Sequence, residues 1–176
     1  MGIVLKLLKW LALLIALLLV MGLFLPAKYE AARSIVINAP PEKIQPFLDT
    51  PKEWIRWNPW NARDPSMKVT FAGPERGTGA KWSWVSKSEG NGAMEINEIV
   101  PVNKVTYTLT MEGMGNPSKA DFVFTPEKGA TKVTWRMYGE HGMNPIHRWF
   151  SLFMDKLIGP DFETGLKSLK ALSEKP

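Results

Sequence analysis

The sequence predicts an α+β protein: a seven-stranded, curved antiparallel sheet wrapped on a long C-terminal helix, with two short helices after the first strand and an N-terminal transmembrane helix. Three observations carry this expectation. Between residues 29 and 137, apolar side chains recur at alternate positions in short runs separated by turns rich in Gly, Pro and Asn, the pattern of strands with one buried face. From Pro160 to Glu174, Phe162, Leu166, Leu169 and Leu172 fall on one helical stripe, with Glu163, Lys167, Lys170 and Glu174 opposite. Near the start, Trp10 to Leu25 is unbroken apolar sequence.

As a helix, Trp10–Leu25 spans about 24 Å, short of a hydrocarbon layer of about 30 Å. Extension back to Ile3 supplies the missing length, with Lys6 and Lys9 snorkelling to the headgroups and Trp10 at the interface. A cleaved signal peptide has the same outline. Leu25-Pro26-Ala27, however, puts a bulky residue where a cleavage site wants a small one. The expectation is therefore an uncleaved anchor over residues 1–26, with membrane contact through residues 3–25, and one domain over 27–176. Lysines ahead of the apolar run place the N-terminus in the cytoplasm and the domain on the outer, periplasmic or extracellular, side.

Tyr29 to Asn38 reads as the first strand, and Pro40-Pro41 opens a short helix to Leu48, followed by a helical turn from Pro51 toward Trp57. Trp57-Asn58-Pro59-Trp60 reads as a rigid aromatic turn. Six runs follow: Met67–Phe71, Lys81–Ser86 with Trp82 and Trp84 on one face, Ala93–Val100 with Met94 and Ile96 together, Val105–Met111 with threonines on one side only, Ala120–Thr125 with Phe122 and Phe124 together, and a last run carrying Val133, Trp135 and Met137. In Pro145–Leu157, Ile146, Trp149, Phe150, Phe153 and Leu157 recur at helical spacing, and Leu157-Ile-Gly-Pro160 is expected to kink or break this helix before the last one begins. Gly165 interrupts the apolar stripe of the last helix, which implies something pressed against that face.

Composition narrows the function. Eight tryptophans and eight phenylalanines demand a large apolar interior. The formal charge of +5 includes Lys6 and Lys9, and the remaining basic residues are scattered, so no nucleic-acid partner is expected. The absence of cysteine excludes disulfides and thiol catalysis, and two histidines, His141 and His147, do not make a zinc site; no metal and no cofactor is expected. Gly77-Thr78-Gly79 lacks a following helix and reads as a turn, not a phosphate loop.

The order strand, short helices, six strands, long helix is that of the helix-grip fold. Trp57-Asn58-Pro59-Trp60, Gly77-Thr78-Gly79, Gly129-Ala-Thr-Lys-Val-Thr-Trp135 and Asp161-Phe-Glu-Thr-Gly-Leu-Lys-Ser-Leu-Lys170 together resemble the polyketide cyclase/dehydrase and lipid-transport family of the START-like (SRPBCC) superfamily, over about Tyr29 to Glu174. The resemblance implies an apolar ligand held between the curved sheet and the last helix; it does not imply a reaction.

On that reading the candidate ligand-binding residues are Trp57, Trp60, Trp82, Trp84, Met94, Tyr107, Met111, Phe122, Trp135, Phe162 and Leu166. The rings are candidates either for a cavity wall or for plain core, and Trp57 and Trp60 either for a gate or for staples holding the short helices. Opening is expected to involve the last helix, the Trp57–Trp60 loop and the loop Gly113–Pro117. His141, bracketed by glycines, is expected in solvent, and Asp64, Glu95 and Asp121 are expected to face outward without partners. Three functions remain open: a membrane-tethered binder of a hydrophobic small molecule or lipid, a cyclase- or dehydratase-type enzyme with Tyr107, Arg136 or His141 as proton donor, and a partner-binding module with a filled core.

Overall fold

The structure is a computed structural model that describes residues 2–175. A helix, α1 (Gly2–Phe24), precedes a seven-stranded sheet in the order β1-β7-β6-β5-β4-β3-β2, every neighbouring pair antiparallel. The strands are β1 (Lys28–Ile37), β2 (Lys68–Ala72), β3 (Lys81–Val85), β4 (Gly92–Val100), β5 (Lys104–Met111), β6 (Ser118–Glu127) and β7 (Ala130–Glu140). β6 and β7 run longer than their apolar alternation.

What reads in the sequence as two short helices is four single turns: α2 (Pro41–Ile44), α3 (Pro46–Asp49), α4 (Pro51–Trp54) and α5 (Pro59–Arg63). Each begins on a proline. The fixed φ of proline suits the first helical position, while its ring is excluded from the turn before, so each proline opens one turn and ends its predecessor. Trp57-Asn58-Pro59-Trp60 is therefore not a simple loop: Asn58 caps α5, its side-chain oxygen accepting from the Asn61 N–H at 3.0 Å. Gly77 and Gly79 do form a turn, both at positive φ.

The chain ends in α6 (Pro145–Ser151) and α7 (Met154–Ser173). The expected break at Leu157–Pro160 is absent; the helices part at Leu152–Phe153, and α7 runs straight through Pro160. An interior proline removes a backbone hydrogen bond and costs roughly 3 kcal/mol. Arg33 of β1 bridges the weak point. Its guanidinium lies against Gly159, where a Cβ would fall 2.0 Å from its Nη2, and it donates to Asp155 at 2.6 Å on one side of the proline and to Glu163 at 2.8 Å on the other. Those hydrogen bonds hold the Asp155 carboxyl below the usual carboxylate range.

α7 lies across the concave face of the sheet. Phe162, Leu166 and Leu169 are buried, as the stripe predicts. Gly165 lets the helix press close to the rings below: a Cβ there would sit 3.0 Å from the Trp135 ring, 3.3 Å from Pro59 and 3.4 Å from Trp57. Beneath this part of the helix the interior is solid. Trp135 stacks on Phe162 with ring centroids 3.9 Å apart, and Trp54 meets Trp57, Trp82, Tyr107, Phe122 and Trp135.

The register explains where this solidity ends. Trp135, Phe122 and Val105 are cross-strand neighbours on β7, β6 and β5. Two residues along each strand, toward α6, the same face carries Ala31, Met137, Ala120 and Tyr107 side by side; beyond them Gly139 lies opposite Tyr29, and Ser118 opposite Leu109. Large rings give way to alanine, glycine and serine, and the sheet and helix no longer meet.

Candidate ligand cavity

In that gap lies a cavity of about 190 Å³, roofed by Met154, Ile158, Asp161 and Phe162 of α7 and floored by the sheet. Its wall is mainly apolar. Trp82 and Trp84 of β3, Met94 of β4, Tyr107, Leu109 and Met111 of β5 and Met137 of β7 line it, as do Trp60 and, from the loop after β5, Met114. Among the residues singled out in the sequence, Trp60, Trp82, Trp84, Met94, Tyr107, Met111 and Phe162 thus share one cavity. Trp57, Phe122, Trp135 and Leu166 do not line it: they belong to the solid half, where each is almost wholly buried against other side chains. Trp57 is a staple, its indole N–H donating to the Phe47 carbonyl at 2.9 Å.

Trp60 stands at the edge of the cavity. Its N–H donates to Asp161 at 2.9 Å, and Arg63 joins Asp161 to Glu89 of the β3–β4 turn, so one ionic cluster ties α5, α7 and the sheet edge together. Several lining residues are not among the candidates the sequence marks for binding: Tyr29, Asn58, Met67, Leu109, Asn116 and Ser118. Tyr29 and Ser118 close one corner through hydroxyls 2.5 Å apart.

Two polar groups on the wall are buried without hydrogen-bond partners among the described residues: the Trp82 indole N–H and both ring nitrogens of His141. His141 corrects the expectation of a solvated side chain. It is 8% exposed, stacked on Tyr29 at 4.7 Å and edge-on to His147 at 5.4 Å. A tyrosine far back in the chain covers it, which the local Gly139–Gly142 context does not reveal. Burial, reinforced by His147, holds the His141 pKa below its ordinary value. The unfolded chain therefore takes up this proton first: the stability tied to neutral His141 is present above pH about 6.5 and is lost as pH falls through the lower folded value. The thermal midpoint is expected to fall more between pH 7.5 and 5 for the native chain than for His141→Phe, as melting by circular dichroism reads.

The other proton-donor candidates are placed differently. Tyr107 accepts a hydrogen bond from the Trp135 indole at 2.6 Å, and complete burial pushes its phenol far above the usual range, so it stays neutral. Arg136 is on the opposite face of the sheet from Trp135 and Met137, paired through two hydrogen bonds of 2.7 and 2.8 Å with Asp121, its cross-strand neighbour. It is not part of the cavity. Asp121 is accordingly not without a partner, nor is Glu95, which pairs with Lys81 at 3.0 Å. Asp64 is buried and accepts from Ser66 and Ser86, both at 2.5 Å.

A curved sheet closed by one long helix, with an apolar chamber between them, is the architecture of hydrophobic-ligand and polyketide-cyclase-type proteins. The chain belongs to the polyketide cyclase/dehydrase and lipid transport family, whose profile matches residues 28–174. Solved structures share the fold at low identity. A Chromobacterium violaceum protein superposes with TM-score 0.61 at 17% identity, covering 84% of this chain and 98% of its own. The di-domain ARO/CYC StfQ from the steffimycin biosynthetic pathway gives 0.60 at 11%, covering 84% and 51%, and Ara h 8.0201 gives 0.58 at 10%, covering 83% and 97%. No curated protein matches the sequence.

Proposed function

We propose that the protein is a membrane-tethered binder of a hydrophobic small molecule or lipid segment, held between the sheet and α7. The observation that carries this is the apolar chamber itself, walled by Trp60, Trp82, Trp84, Met94, Met111 and Phe162 beneath α7. Size limits the occupant. An apolar cavity of about 150 Å³ admits benzene, whereas drug-sized ligands occupy about 300 Å³ or more. The chamber suits one ring or a short stretch of acyl chain, and anything larger requires α7 to lift. α1 supplies the tether: 23 residues, apolar throughout except Lys6 and Lys9, about 34 Å long as a helix. Lys6 and Lys9 orient it with the N-terminus in the cytoplasm and the domain outside.

The test is a titration of the full chain, in phosphatidylcholine nanodiscs, with a fluorescent fatty acid. Saturable 1:1 binding is expected. Absence of saturable binding sinks the reading. A cyclase-type enzyme is the second reading, supported by the placement of His141, neutral and unpartnered, on the chamber wall. Turnover abolished by His141→Phe with binding unchanged would favour it.

A further inference from the structure

Ile146, Phe150, Phe153 and Leu157 form the stripe that the sequence marks as one apolar helical face, but the structure turns it away from the core. With Met143 and Leu152 these side chains are 46–73% exposed. On the rest of the domain, exposed large apolar residues are scattered singly, which is ordinary; a cluster of this kind marks an interaction surface.

Its neighbour identifies the occupant. α6 packs directly on the end of α1: Gly22 lies against Pro145, where a Cβ would come within 2.6 Å of its carbonyl oxygen, Arg148 donates to the Leu23 and Leu25 carbonyls, and the Trp149 indole donates to the Leu18 carbonyl at 3.0 Å. Arg148 thus satisfies the open carbonyls and negative dipole end of α1. Leu18 lies about 9 Å in from Phe24 along the helix axis. A helix lying in a membrane surface sinks its apolar face about 5–10 Å, and tryptophan favours that level. If α1 crosses a bilayer, α6 is held at the depth where its exposed residues meet acyl chains.

The same turns of α7 that carry Phe153 and Leu157 outward carry Met154 and Ile158 into the chamber wall, and Met114, 47% exposed, also lines it. One layer of side chains separates the apolar outer face from the cavity. We propose that α6 and the first turns of α7 are embedded in the membrane surface, and that the cavity exchanges its ligand directly with the bilayer through the seam beside Met114, Met154 and Ile158. This rests on the reading that α1 spans the membrane.

The native chain has no cysteine, so single-cysteine variants of the full-length protein can be labelled with an NBD fluorophore in phosphatidylcholine/phosphatidylglycerol vesicles. Labels at Phe150→Cys and Leu157→Cys are expected to be quenched by nitroxide on the acyl chains and protected several-fold from aqueous iodide. The reference labels are Leu14→Cys in α1 and Glu127→Cys at the far end of β6. Iodide quenching of Phe150→Cys and Leu157→Cys equal to that of Glu127→Cys, with Leu14→Cys still quenched by lipid, overturns the proposal and leaves the anchor intact. A Leu14→Cys label open to iodide overturns both. For the seam, the Phe153→Asp/Leu157→Asp variant is expected to take up fluorescent fatty acid from vesicles several-fold more slowly at unchanged affinity; an unchanged uptake rate overturns direct exchange.

Discussion

Leu109→Trp is expected to lower the affinity for a fluorescent fatty acid at least tenfold while leaving the thermal midpoint almost unchanged. Leu109 is half-buried on the chamber wall, opposite Met94 on one side and Ser118 on the other, so an indole has room to extend into the void instead of displacing packed neighbours. In a space of about 190 Å³ the added ring displaces much of any ligand. Each excluded methylene forfeits about 0.8 kcal/mol, and two of them exceed a factor of ten in Kd. Equal affinity in a titration of the native and variant chains would place the ligand elsewhere.

Trp135→Ala is expected to have the largest effect on stability, about 3–5 kcal/mol by the usual cost of emptying a buried aromatic site. Trp135 has no exposed surface, stacks on Phe162, meets Phe122, Trp54, Trp57 and Trp60, and donates its N–H to Tyr107. Its removal leaves a hole under Gly165 of α7, where no side chain exists to collapse into it. Denaturant unfolding reads the loss; a cost below about 1 kcal/mol would mean that this half is not the solid keel it resembles.

Which face of each strand is buried was legible in the sequence, because alternation assigns faces without reference to other strands. How far along a strand the core stays filled was not. Ala31, Ser118, Ala120 and Gly139 come together on the buried face only through cross-strand register, and each alone is an ordinary small residue. Phe122 and Trp135 share the buried face with residues that line the void but stand at another level, and Trp57 and Leu166 pack onto that same solid end from the α4–α5 connection and α7. The same limit explains Arg136 and Asp121, paired across strands, and His141, roofed by Tyr29. For Ile146, Phe150, Phe153 and Leu157, periodicity reported an apolar stripe correctly and could not say what covers it.

Pro160 divides the roof into two parts, and Arg33 bridges them. Pro160 cannot donate the backbone bond to the preceding turn, and the guanidinium supplies a second link across that point. The turns from Met154 to Gly159 overhang the empty end of the interior, while those from Phe162 onward are bolted to Trp135. Releasing Asp155 while keeping Glu163 frees the overhang alone, like an eave hinged on a fixed wall. Because Asp155 is half in solvent, dissolved salt weakens that latch and leaves the wall untouched.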